Sequence, residues 1–171
     1  MVAGIVLSGD NWLEKFKNEE KQIQDSVEED KKKWDALREK YKQQGEMIFA
    51  TVNDELIKVC QVFGNPSLED NVDKPFAKNG MLRMPIKSGA TLVSVSLTFT
   101  LHLTENGYML DVHHTQYDHV KQTDSRFTHF IQPPVDRQKI QVEIAEFLKN
   151  RNFVLERLAE EEKASRRHVG Y

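Results

Sequence analysis

Between residues 91 and 116 apolar and polar side chains alternate almost without fault. Val93, Val95, Leu97, Phe99, Leu101 and Leu103 fall on one parity, and Ser94, Ser96, Thr98, Thr100, His102 and Thr104 on the other. Side chains of a strand point to opposite faces in turn, so this pattern predicts a strand with one dry face and one wet face. Asn106-Gly107 then offers the positive-φ positions of a tight hairpin turn. A sheet that keeps one face wet is antiparallel and must cover its other face with helices or a second sheet.

The flanking sequence extends the hairpin into a four-stranded meander, with strands at about 81–87, 90–104, 108–117 and 126–131. Pro85 cannot donate to a ladder, so the first of these is expected at an edge or with a bulge. Two-residue turns at 88–89 and 106–107 place Met84 opposite Val93, Leu82 opposite Val95, Leu103 opposite Leu110 and Leu101 opposite Val112. Both pairings bury the same face of the central strand, and a slip of one residue would set apolar residues against threonine and serine. Residues 65–80, with Pro66, Pro75, several Asp and Asn, and Asn79-Gly80, read as a loop, in which Leu68, Val72 and Phe76 allow at most one helical turn.

Residues 10–63 read as helix, with Asp10 as N-cap. Leu13, Phe16, Ile23, Val27, Trp34, Leu37, Tyr41 and Ile48 recur three and four apart, with Glu20, Asp30 and Gln44 filling the gaps. That is a narrow heptad seam, suited to contact with one other helix. From Ile48 the stripe widens to Phe49, Val52, Leu56, Val59, Cys60 and Phe63, the pattern of a helix lying on a core. Gly45, between the two regimes, bends, breaks or is carried through at about 1 kcal/mol. Gly64 and Asn65-Pro66 stop the helix. A last helix, about 136–165, carries Ile140, Ile144, Phe147, Leu148, Val154, Leu155 and Leu158 on one side. The expected organisation is a tail at 1–9, a coiled-coil-like helical arm at 10–44, an α+β domain at 45–165 with helices on one face of the sheet, and a tail at 166–171.

Net charge is −3, from 24 basic and 27 acidic residues, so there is no global attraction to nucleic acid or to an anionic membrane. Cys60 is the sole cysteine, expected to be buried and inert, and no apolar run reaches membrane-spanning length. A cytoplasmic protein is expected. The eight glycines form no phosphate-binding loop, Ser88-Gly89 lacks the flanking glycine of a nucleophile elbow, and no helix carries zinc-protease histidine spacing. No cofactor is implied.

Two groups of residues remain. His102, Asp111 and His113 share the wet face in the expected register, with His102 directly opposite Asp111 and His113 opposite Thr100. Two imidazoles and a carboxylate are the ligand set of facial iron and zinc sites, although a flat outer face equally suits simple cross-strand polar pairs. His114 is expected on the dry face beside Phe99, as a core histidine, and the face of His129 is open. The second group is the seam of the arm: Phe16, Ile23, Val27, Trp34, Leu37 and Tyr41. Large aromatics on a narrow seam require a partner, either the last helix of the same chain or another protein. The expectation is a non-catalytic interaction or assembly module that self-associates or docks a protein partner through the arm. The alternative is a small-ligand binder with a pocket between sheet and helices. A metal-dependent enzyme built on His102, Asp111 and His113 comes third.

Overall fold

The computed structural model describes residues 12–63, 67–74, 77–89 and 91–168. Residues 1–9, the proposed cap at Asp10, the stop at Gly64-Asn65-Pro66 and Phe76 lie outside them. The elements are α1 (Trp12–Phe63), β1 (Ser67–Lys74), β2 (Ala77–Ser88), β3 (Thr91–Thr104), β4 (Gly107–Asp118), β5 (Thr123–Ile131) and α2 (Arg137–His168). The fold is α+β, an antiparallel meander with helices on one face and a long N-terminal helix. The chain divides into two compact units, Met1–Lys40 and Tyr41–Tyr171.

The sheet has five strands in the order β1-β2-β3-β4-β5, one more than the alternation indicated. The extra strand, β1, occupies part of the stretch that composition assigns to a loop. It pairs Ser67 with Arg83 through Lys74 with Ala77. Its composition (Ser-Leu-Glu-Asp-Asn-Val-Asp-Lys) carries no β signal, so the edge of β2 supplies the ladder that local propensity does not. Pairing with β1 stops at Arg83, which leaves Pro85 on a part of β2 bonded only to β3. The missing N–H of Pro85 is tolerated there, as at an edge.

Both expected registers are displaced by two residues. Met84 faces Val95 and Ile86 faces Val93, because Ser88 pairs with Thr91 and the turn falls one residue later. Leu101 faces Leu110, Phe99 faces Val112 and Leu103 faces Tyr108, because the turn is Glu105-Asn106 and Gly107 already belongs to β4. The Thr104 hydroxyl closes this turn, donating to the Gly107 carbonyl at 2.6 Å and accepting from the Asn106 N–H at 3.3 Å. A displacement of two preserves side-chain parity, so every inward residue stays inward. Leu82, Met84, Ile86, Val93, Val95, Leu97, Phe99, Leu101, Leu110 and Val112 are all buried.

The dry face is covered by two helices. From α1 come Ile48, Val52, Leu56 and Val59, and from α2 come Ile140, Ile144, Phe147, Val154 and Leu158. Cys60 is half-buried against this core, and burial pushes its thiol up. α1 continues unbroken through Gly45, and the missing side chain has a packing reason. A Cβ on Gly45 would lie 2.6 Å from Tyr108 Cε2, so only glycine lets the β3–β4 hairpin tip meet the helix. Gln44 Oε1 accepts from the Tyr108 N–H at 3.2 Å, and Tyr41 donates to the Glu105 carbonyl at 3.3 Å. α2 extends to His168, past the expected end at 165.

A buried carboxylate joins the two helices. Glu55 accepts from Lys58 Nζ at 2.7 Å, from Gln141 Nε2 at 3.1 Å and from Arg137. Burial alone would push the Glu55 carboxyl up, but hydrogen bonds from Lys58, Gln141 and Arg137 outweigh it, and the group titrates below its ordinary value.

Candidate functional site

On the wet face, the expected histidine patch assembles around Asp111, although the register differs. His102 faces Met109, Thr100 faces Asp111 and Thr98 faces His113. His102 therefore reaches Asp111 diagonally, with Nε2 3.4 Å from Oδ2, while His113 Nε2 lies 2.9 Å from the same oxygen. His113 Nδ1 also meets Thr128 Oγ1 on β5 at 2.9 Å. Thr128–His113–Asp111–His102 thus runs as a polar chain across three strands, with Asp111 itself buried. A chain of this kind satisfies cross-strand partners, and Asp111 Oδ1 remains without a hydrogen bond.

The dry face holds a second group. His114 faces Leu97 on β3 and Phe127 on β5, not Phe99, and His129 pairs with Val112, which puts both imidazoles on the helix side of the sheet. Their rings stack with centroids 6.0 Å apart and planes 26° apart. Glu143 of α2 comes down on them: His129 Nε2 lies 2.8 Å from Oε1, and His114 Nε2 lies 3.7 Å from Oε2. One nitrogen from each ring and one carboxylate oxygen lie within 4.8 Å of one another, and among the described residues this is the group with metal-ligand convergence. Burial pushes His114 below the ordinary imidazole value, with Glu143 opposing and His129 reinforcing the shift. His129 Nδ1 is buried and has no hydrogen-bond partner.

Hollows flank this group on either side. One, of about 290 Å³, lies between β4–β5 and α2 and is lined by His114, Phe127, Phe147 and Arg151 among others. The Arg151 guanidinium lies 5.3 Å from the centre of the Phe63 ring, and its Nε has no hydrogen-bond partner. The other, of about 460 Å³, is lined by His129, Pro133, Lys139 and Glu143.

Sequence reasoning placed His114 correctly by parity but did not find the trio. The available signal was Glu143, three residues after Ile140 and four before Phe147, a charge on the face of α2 that otherwise carries the core. Periodicity shows such a residue as out of place but cannot name the strand residues it will meet.

In the N-terminal unit the seam is solvent-facing. Leu13, Phe16, Ile23 and Val27 are 50–65% exposed, and Trp34 and Leu37 are half-buried. Ion pairs such as Lys32–Glu28 and Arg38–Asp35 support the helix from outside the seam. No described helix is long and apolar enough to cross a membrane. No family model, curated protein or solved structure matches the chain.

Proposed function

We propose that this protein is an interaction module that docks an amphipathic helix of another protein along the seam of its N-terminal arm. The observation that carries this reading is the solvent exposure of Leu13, Phe16, Ile23 and Val27 at heptad spacing on a helix with charged outer faces. An apolar stripe of that length in water is unfavourable unless something covers it. The residues flanking the stripe indicate what covers it. Lys17, Lys31 and Arg38 follow the seam positions Phe16, Asp30 and Leu37 on one flank, and Lys33 and Lys40 precede Trp34 and Tyr41 on the other, against a single acid, Glu19. A second copy would set basic flank against basic flank and add two more buried acids to Glu20 and Asp30. A partner helix with leucine-type seam residues and acidic flanks meets both the apolar stripe and the charge.

The test uses two synthetic helices with identical leucine seams, one flanked by glutamate and one by lysine, titrated onto the full chain with mass followed by sedimentation. Expected are a monomeric chain, binding of the glutamate-flanked helix that weakens with salt, and its loss in an Ile23→Asp, Val27→Asp double variant. A stable homodimer without added helix, or equal binding of the two helices, would refute the reading.

The alternative of a small-ligand binder rests on the cavity between β4–β5 and α2, which lies at the lower end of ligand-pocket sizes.

A further inference from the structure

We propose that His114, His129 and Glu143 form a divalent-metal site, with zinc as the ion it suits best. Three lines of geometry converge on it. The first is placement. His114 and His129 stand where the inward parity of β4 and β5 otherwise puts Leu110, Val112 and Ile131, and Glu143 stands on the face of α2 that carries Ile140 and Phe147. Polar groups held against a core cost free energy unless they are fully partnered. Here the partners are mutual and incomplete, since His129 Nδ1 has none.

The second is distance. Zinc–ligand bonds of about 2.0–2.1 Å in a tetrahedral site put neighbouring ligand atoms roughly 3.3 Å apart. His129 Nε2 lies 2.8 Å from Glu143 Oε1 and His114 Nε2 lies 3.7 Å from the other oxygen, Oε2, and with one oxygen taken as ligand the three ligand atoms lie within 4.8 Å of one another. Small side-chain rotations therefore bring all three to bonding distance of one point. The close contact between His129 Nε2 and Glu143 Oε1 is the one that zinc would replace, with the neutral ring carrying its proton on Nδ1.

The third is surroundings. Two imidazoles and one carboxylate are a borderline, mixed nitrogen–oxygen set, which binds zinc more tightly than manganese or iron(II). The ligands come from a sheet and a helix of one packed core, and Phe127 and Phe147 stand beside His114. The cavity of about 290 Å³ next to His114 leaves room for a fourth, exchangeable ligand. The wet-face residues His102, Asp111 and His113 have no such enclosure, since they lie on the side of the sheet opposite the helices.

The experiment is calorimetric titration of the untagged full chain with zinc chloride near neutral pH, repeated on Glu143→Gln, His129→Ala and, as a control on the other face, His113→Ala. Glutamine at 143 keeps the shape and a carbonyl acceptor for His129, so a folded protein is expected, and circular dichroism checks it. One-to-one binding in the wild type and in His113→Ala is expected, with affinity lower in Glu143→Gln and His129→Ala by more than the roughly 10–100-fold that loss of an outer-shell partner costs. Cobalt(II) substitution supplies a second readout: intense visible bands of a four-coordinate ion in the wild type and their loss in His129→Ala. No stoichiometric binding would overturn the proposal. So would binding lost in His113→Ala but kept in His129→Ala, which would put the ion on the wet face.

Discussion

Replacing Glu55 by glutamine tests whether the junction between the core half of α1 and the start of α2 is electrostatic. The Glu55 side chain is only 7% exposed, and it accepts from Lys58, Arg137 and Gln141. Hydrogen bonds to a charged group contribute about 1.5–3 kcal/mol. Lys58 and Arg137 are 57% and 47% exposed, so water screens their share, and the lower end applies, about 1.5 kcal/mol. For a chain of this size that is a fall in melting temperature of about 3–6 °C. The pH dependence is more diagnostic than the size. The folded-state pKa of Glu55 is depressed, so the stabilisation is complete above the unfolded-state value of about 4.3 and is lost as pH falls through the lower folded-state value. Calorimetric melting of wild type and Glu55→Gln across that range is the assay. The two melting temperatures should differ near neutral pH and converge in acid. A difference that is constant with pH would show that glutamine perturbs packing and that the charge of Glu55 contributes nothing. Fluorescence is the wrong probe, because both tryptophans, Trp12 and Trp34, lie in the N-terminal unit and report on it.

Three further outcomes follow from the packing. Phe99→Ala empties a fully buried site and should cost about 3–5 kcal/mol, whereas Thr98→Ala on the opposite face should cost under about 1; hydrogen exchange of β3 amides measures both, and equal losses would contradict the face assignment. Gly107→Ala should destabilise by about 1–3 kcal/mol, since its φ is 115° and a Cβ there would lie 2.7 Å from Gln44 Oε1; urea unfolding followed by circular dichroism measures it, and a variant as stable as wild type would contradict the positive-φ geometry of this hairpin. The Ile23→Asp, Val27→Asp pair should leave the protection of those β3 amides unchanged, because both residues are exposed, and a loss of protection would mean that the seam stabilises the core.

The meander was legible in the sequence because a half-buried strand writes its two environments into alternate residues. From Val93 to Leu103 the pattern names the buried set without reference to any partner. Exact pairing was not legible, because alternation is unchanged by a shift of two, and the hairpin is decided by the Thr104 hydroxyl, which closes the turn one residue earlier than Asn106-Gly107 indicates. β1 was illegible because its strand character comes from the exposed edge of β2, and the role of Gly45 stayed open because the ring of Tyr108 that requires it is 63 residues away. The same limit applies to the sites. His102, Asp111 and His113 lie on adjacent strands, where parity alone brings them to one face. His114, His129 and Glu143 needed a helix to cross the sheet at a particular residue, and helix placement on a sheet is decided by how Ile140, Ile144 and Phe147 fill the core, a matter of volume that periodicity does not record.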